Sequence, residues 1–171
     1  MEVAVADDFP DPQPPLPLTR RLDPPPADPG PAPLRLALSA EERTRLRGLR
    51  HSLCGRALLL QLPRGHALRP GEWLAPERGG PAVRVEAAPE ALLLVQAPNP
   101  LALLQAAYHL GNRHVALELR EHELRLIEDP VLADLLVRRG LMVERRQEPF
   151  LPEGGAYAGA DHDHASPVPT P

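Results

Sequence analysis

The fold is decided by residues 91–143, which read ALLLVQAPNPLALLQAAYHLGNRHVALELREHELRLIEDPVLADLLVRRGLMV. The stretch opens with an apolar run of strand length, Ala91–Ala97. Asn99–Pro100 then supplies a helix N-cap and a first-turn proline, and Gly111 is a typical residue at which a helix ends. Three apolar residues between these signals have helical spacing: Leu101, Leu104 and Tyr108. The spacing therefore predicts a strand followed by a helix.

The same pattern is repeated after the first helix. Apolar residues alternate in His114–Arg120, which predicts a strand, and Leu124–Ile127 predicts a second strand after a tight connection. Asp129–Pro130 repeats the cap and first-turn proline, and Gly140 is expected to end the second helix. A last strand begins at Leu141–Val143. The order β-α-β-β-α-β predicts a ferredoxin-like domain.

The preceding part of the chain reads as short strands separated by turns. Ala57–Leu62 and Val83–Glu86 are strand candidates, Leu16–Leu22 is a short edge-strand candidate, and Cys54–Gly55 is typical of a hairpin turn. Ser39–Glu42 has the spacing of a capping box, and this local pattern favours a helix. Strand signals predominate, so the sequence predicts a small β-rich domain before the ferredoxin-like one. The fold class is α+β.

Proline marks the boundaries, because it removes backbone donors and restricts the residue before it. Eleven of the 24 prolines fall within the first 33 residues. The prediction is a disordered Pro-rich N-terminus at 1–15 and a β-rich domain at 16–90 that carries a Pro-rich insert at 23–33. A ferredoxin-like domain is expected at 91–151, and a flexible tail that contains histidines is expected at 152–171.

Composition excludes several classes of function. All 19 basic residues are Arg, so a Walker-type phosphate loop and a Schiff-base enzyme are excluded. A net charge of −4 and 3 % aromatic residues argue against nucleic-acid binding. The longest apolar runs are too short to span a membrane, and we see no secretory signal. A single cysteine, Cys54, fits a reducing compartment, so we expect a cytoplasmic protein.

The histidines are the main candidates for chemically functional side chains in this sequence. His109 and His114 flank a turn, whereas His162 and His164 alternate with aspartates near the C-terminus. Imidazoles with oxygen co-ligands suit borderline ions such as Ni(II), Cu(II) and Zn(II). Taken alone, His114 is more typical of an ordinary surface histidine, because no second histidine at i,i+4 supports a metal site. Asn112–Arg113 leaves open an acylphosphatase-like reaction, in which such a pair holds an acyl phosphate.

Ala107–Val115, which reads AYHLGNRHV, resembles the UreE family of urease accessory proteins, which are dimeric nickel metallochaperones. Six further segments resemble the same family in the expected order: Leu16–Leu22, Leu62–Gly65, Leu68–Leu74, Val85–Glu90, Pro130–Leu136 and Pro149–Tyr157. The Gly-Asn-Arg-His motif, followed by Gly-Gly-Ala-Tyr and a tail with histidines, is specific in combination.

The resemblance implies a homodimer in which each subunit contributes His114 to one nickel ion at the interface. His162 or His164 would complete the coordination at that site or pass the ion to it. His109 matches a position where some members have histidine. Zn(II) or Cu(II) would substitute in vitro. The implied partners are the accessory GTPase and the apo-urease assembly complex, and the protein would not be an enzyme.

The resemblance also changes two expectations. The family's N-terminal domain is β-rich and described as peptide-binding, so we expect no helix at Ser39. Some members carry a His-x-His metal site where this chain has Glu128–Pro130, so that site is expected to be absent or built from oxygen ligands. A general zinc or copper buffer remains the first alternative function, and the acylphosphatase-like hydrolase remains the second.

Overall fold

The computed structural model describes residues 13–27 and 33–154. The chain divides into two compact units, residues 1–87 and 88–171, where the sequence predicts a boundary between residues 90 and 91. Residues 1–12, residues 28–32 of the Pro-rich insert and residues 155–171 lie outside the described part. The expectations of disorder for the two ends therefore stay predictions.

Within its described residues, the first unit is β-rich, with seven strands and one short helix. Its strands form two sheets, in the orders β1-β5-β4 and β2-β6-β7-β3. β1 runs parallel to β5 and β3 runs parallel to β7, whereas the other neighbours are antiparallel. The elements are β1 Leu16–Leu18, β2 Arg20–Leu22, β3 Leu34–Leu38, α1 Ala40–Thr44, β4 Arg47–His51, β5 Ala57–Gln61, β6 Trp73–Ala75 and β7 Val83–Ala87.

The predicted single edge strand Leu16–Leu22 is in fact two strands. β1 is an edge strand of the first sheet and β2 is an edge strand of the second. The change occurs at Thr19, whose N–H donates to the carbonyl of Ala75 at 3.0 Å. This bond starts the pairing with β6, so the chain passes from one sheet to the other without a loop.

The expectation of no helix at Ser39 is wrong. The Glu42 N–H donates to Ser39 Oγ at 3.1 Å, and the Ser39 N–H donates to the Glu42 carboxylate at 2.9 Å. This reciprocal pair is a complete capping box, and it begins the five-residue helix α1. The local sequence pattern was the better guide here than the resemblance.

The second unit has the predicted element order, β-α-β-β-α-β. Its four strands lie in the order β11-β8-β10-β9, and all neighbours are antiparallel. Leu93, Val95, Leu124 and Leu126 pack with both helices in one core. The elements are β8 Pro89–Gln96, α2 Pro100–Gly111, β9 Glu118–Leu119, β10 Leu124–Ile127, α3 Pro130–Arg138 and β11 Met142–Pro149.

Both helices of this unit begin where the sequence predicts. Asn99 Oδ1 accepts the N–H of Ala102 at 2.9 Å, and Asp129 Oδ1 accepts that of Leu132 at the same distance. A proline occupies the first turn in each case. Gly140 follows α3 with a φ of 79°, a left-handed conformation that glycine adopts without steric cost. These signals are local, and the structure confirms them.

The predicted strand His114–Arg120 is shorter than expected. Only Glu118 and Leu119 form β9, and residues 112–114 form a turn instead. The N–H of Val115 turns back to the Leu110 carbonyl at 3.2 Å, so it is used at the end of the helix. The alternating pattern therefore covers a turn and a loop as well as a strand.

Candidate functional site

His114 lies in the turn that follows α2, in an unusual backbone conformation. Its φ is 57°, and it is the one non-glycine residue with a positive φ within residues 13–27 and 33–154. An L-residue in this left-handed region costs roughly 1–2 kcal/mol, although histidine tolerates it better than most. Strain of this kind is typical of functional positions.

The side chain of His114 is exposed, whereas its backbone is held in place. The His114 N–H donates to the carbonyl of Gly111 at 2.9 Å. Across the described part of the chain, the imidazole ring has no hydrogen-bond partner. Both ring nitrogens are therefore available to a ligand, and the turn fixes the direction from which the ring leaves the backbone.

His109 is placed differently. It lies on α2 and is half-buried, and its ring contacts that of Tyr108 edge-on, with centroids 5.6 Å apart and an interplanar angle of 70°. No group of three His, Cys, Asp or Glu side chains that could hold a metal forms within the described residues. Over this range, one chain thus presents an exposed imidazole at His114 but no group of side chains that could hold a metal ion. His162 and His164 lie outside the described residues.

The apolar residues whose spacing predicts α2 are exposed. Leu101 is 64 % exposed, and Leu104 and Tyr108 are each 67 % exposed, whereas Ala106 and Leu110 face the core. Residues three or four apart are neighbours on a helix surface, so the three exposed side chains form one stripe, about 10 Å long at 1.5 Å per residue. We call Leu101, Leu104 and Tyr108 the α2 apolar face. The helix that carries this face ends at the His114 turn.

The same turn bears on the acyl-phosphate alternative. The backbone N–H groups of Asn112, Arg113 and His114 donate to carbonyls of residues 108, 110 and 111, at 2.9–3.0 Å. These three backbone N–H groups are therefore used within the turn and are not free to bind a phosphate.

Comparison with known proteins identifies the family. The model of the UreE urease accessory protein C-terminal domain matches residues 90–168. The urease accessory protein UreE of Parasynechococcus marenigrum (strain WH8102) is 60 % identical over 131 residues, covering 77 % of this chain and 87 % of that protein. The chain belongs to the UreE family of urease accessory proteins.

Other UreE proteins agree with this result. The protein of Synechococcus sp. (strain WH7805) is 60 % identical over 127 residues, covering 74 % of this chain and 73 % of that protein. The protein of Thermosynechococcus vestitus (strain NIES-2133 / IAM M-273 / BP-1) is 52 % identical over 124 residues, covering 72 % of this chain and 86 % of that protein. The domain match spans His109 and His114 and includes the positions of both tail histidines.

The UreE relatives are named as accessory proteins and not as enzymes. In the part of the chain that the structure describes, no helix is long and apolar enough to cross a membrane.

Proposed function

We propose that this UreE-family chain is a metallochaperone that binds Ni(II) and delivers it during assembly of the urease metallocentre. The observation that carries the proposal is the exposed, unpartnered imidazole of His114, held in a left-handed turn at the end of an exposed apolar helix face. An imidazole nitrogen is a good ligand for Ni(II), Cu(II) and Zn(II). Ni(II) is the cargo of the protein and not a resident cofactor.

A twofold axis would turn one ligand into two. In a symmetric dimer the same patch of each subunit meets its copy, so every residue of the patch is present twice. The α2 apolar face is a suitable patch, because three large side chains on one stripe are otherwise left in water. We infer that two copies pair there and that the two His114 rings bind one ion between them.

The remaining ligands would come from the histidine tail. His162 and His164 are candidates to complete the coordination, and His109 is a candidate for an auxiliary ligand on α2. A tail ligand that exchanges leaves a coordination position open to a receiving protein. An affinity near micromolar, about −8 kcal/mol, would hold the ion and still permit transfer. Zn(II) or Cu(II) would bind the same donors in vitro.

Three wider features belong to the same proposal. The order β11-β8-β10-β9 supports assignment of the second unit as a ferredoxin-like domain, and the β-rich first unit supports a peptide-binding-like domain. The accessory GTPase and the apo-urease complex are the proposed recipients. The cytoplasm is the proposed compartment, because Cys54 is a free, exposed thiol.

Calorimetric titration with Ni(II) tests this proposal, with His122→Ala as the matched control. His122 is a histidine of the same unit, in the connection between β9 and β10, and its side chain is largely exposed. We expect His114→Ala to abolish the tightest nickel binding and His122→Ala to leave it unchanged. Unchanged affinity in the His114 variant would refute the proposal.

Metal selectivity needs a second experiment. The protein is purified from cells supplied with nickel, and its metal content is measured by mass spectrometry. Nickel as the main metal supports the chaperone, whereas zinc or copper as the main metal favours the general metal buffer.

A further inference from the structure

A long stretch of the first unit carries basic residues and no acidic ones. Residues 43–71 contain seven arginines, two histidines and no aspartate or glutamate, although the whole chain has a net charge of −4. Among the residues that the structure describes, five of these arginines form no ion pair: Arg47, Arg50, Arg56, Arg64 and Arg69. Positive charge that is not neutralised within the chain favours a partner with negative charge.

The same stretch contains β4, which lies at an open edge of its sheet. The Ser52 N–H, next to the end of β4, donates to the Arg56 carbonyl at 2.9 Å. In an antiparallel pair, every second residue directs its N–H and C=O groups at the neighbouring strand. The even-numbered residues of β4 therefore bond to β5. The N–H groups of Leu49 and His51 point away from β5, toward the open edge.

Arg50 places a guanidinium at this edge. It pairs across the sheet with the fully buried Leu58, so its side chain leaves β4 on the core side. Arg50 Nη1 donates to the Leu49 carbonyl at 2.7 Å, and that carbonyl points away from β5. Among the described residues, Arg50 Nε has no hydrogen-bond partner. A guanidinium has five N–H donors, so most of them are unused here and suit a carboxylate.

A basic cavity of about 560 Å³ adjoins the first residue of β4. Arg45, Arg47 and Arg64 line it. Arg45 is ion-paired with Glu41, whereas the other two contribute charges that no described carboxylate neutralises. Charges of one sign around a cleft raise the local concentration of counter-ions. The cavity therefore favours an acidic side chain beside the β4 edge.

We propose that the open edge of β4 binds an extended acidic segment of a partner protein as an added strand. Main-chain hydrogen bonds supply affinity in this mode of binding, and side chains supply specificity. Charged residues at a sheet edge oppose pairing with unsuitable strands. Unpaired guanidinium groups would repel a basic strand and attract an acidic one. The proposal deepens, and rests on, the peptide-binding-like assignment of the first unit, and it is independent of nickel binding.

The two faces of β4 define the sequence that would fit. Side chains alternate between the faces of a strand, and Leu49, on the face opposite Arg50, is 51 % exposed. Residues directly opposite each other on paired strands have Cβ atoms about 4.5–5.5 Å apart. The added segment should therefore place acidic residues beside Arg50 and apolar residues beside Leu49, in alternation.

The test measures fluorescence polarisation of a dye-labelled peptide that alternates Glu and Val over about ten residues, with the full chain. One control peptide alternates Lys and Val. Another keeps the Glu-Val sequence but carries a methyl group on every peptide nitrogen, which removes its main-chain donors. We expect only the unmodified Glu-Val peptide to bind. Its binding should also slow hydrogen exchange at the Leu49 and His51 amides.

Two variants test the edge itself. Arg50→Gln removes the guanidinium and should weaken binding of the Glu-Val peptide about three- to ten-fold. Arg78→Gln is its matched control, because Arg78 is an exposed arginine in the connection between β6 and β7, which belong to the other sheet. It should change binding by less than about two-fold. Leu49→Pro removes an outward N–H that β5 does not use, and should weaken binding at least about five-fold. If Leu49→Pro fails to fold, Arg50→Gln and the methylated peptide still decide the matter.

Four results would overturn the proposal. Equal binding of the methylated peptide would show that charge alone suffices, and equal binding of the Lys-Val peptide would show that acidity is not required. Full binding by both Arg50→Gln and Leu49→Pro would place the peptide elsewhere, although the first unit could still bind peptides. Absence of binding, with a lower oligomeric mass of Leu49→Pro, would assign the edge to a second copy of the chain. Nickel titration of Arg50→Gln should match the wild type, so failure of the nickel proposal would appear separately, in His114→Ala.

Discussion

Replacement of His114 by glycine should separate function from stability. The residue has a φ of 57° and an exposed side chain, so alanine at this position keeps the backbone strain and loses few contacts. Glycine relieves roughly 1–2 kcal/mol of left-handed strain. It also gives the unfolded chain more freedom, which costs about 0.4–1 kcal/mol. His114→Gly should therefore be more stable than His114→Ala by about 0.5–1 kcal/mol.

Thermal unfolding followed by far-ultraviolet circular dichroism, with a chelator present, measures this difference. The single tryptophan, Trp73, lies in the first unit and would not report on the unit that contains His114. The expected separation of midpoints is about 1–4 °C for a chain of this length. In scans with nickel in place of the chelator, the unfolding midpoint of the wild type should rise and that of neither variant should. Equal or lower stability of the glycine variant would refute the claim that the His114 backbone is strained.

Three further predictions concern other parts of the chain. Asp129→Ala removes the N-cap of α3 and should lower the free energy of unfolding by about 1 kcal/mol, measured by urea denaturation. The Ser52 hydroxyl, 3.1 Å from the sulfur, lowers the pKa of the Cys54 thiol, so Ser52→Ala should slow its alkylation by iodoacetamide at pH 7.5. Two 2.7 Å hydrogen bonds from Arg35 hold the pKa of Glu86 below its usual value. The stabilisation from these bonds is present above the unfolded pKa of about 4.3 and is lost as the pH falls through the folded pKa. The Glu86→Gln variant should therefore lose less free energy of unfolding than the wild type between pH 5 and pH 3. Tryptophan fluorescence measures the unfolding of both proteins.

Helix starts were predictable from sequence because their causes are local. The caps at Asn99 and Asp129 each act within three residues, and the capping box at Ser39 does the same. The helix at Ser39 departs from the expectation based on the family resemblance, because its capping box is a local feature that forms within a β-rich domain. A five-residue helix can be present in a domain that is β-rich as a whole.

The other differences between the predicted and the observed structure come from contacts between residues that are distant in sequence. Thr19 divides the first strand because its partner is Ala75, and no pattern within residues 16–22 could reveal this. Glu118 holds Leu151 from 33 positions away. Helical spacing predicted α2 from Leu101, Leu104 and Tyr108, but spacing alone does not tell whether a stripe faces the core or the solvent. Only an exposed stripe could serve as the proposed binding surface for a second copy of the chain.

The candidate site was only partly predictable for the same reason. From the residues alone, His114 resembles a surface histidine, and its left-handed backbone and free ring are properties of the folded turn. The proposed pairing of two such rings depends on a second molecule, which a single sequence does not contain. The resemblance to the UreE family supplied that expectation, and the comparisons established the family.

Native mass spectrometry of the full chain, with and without Ni(II), tests the central claim most directly. We predict a dimer that carries one tightly held nickel ion for each two chains. His114→Ala should lose that ion, while Leu104→Glu, which places charges on the α2 apolar face, should give monomers that also fail to hold it. A monomer that retains the ion, or a His114→Ala dimer that still carries it at the same ratio, would contradict the account.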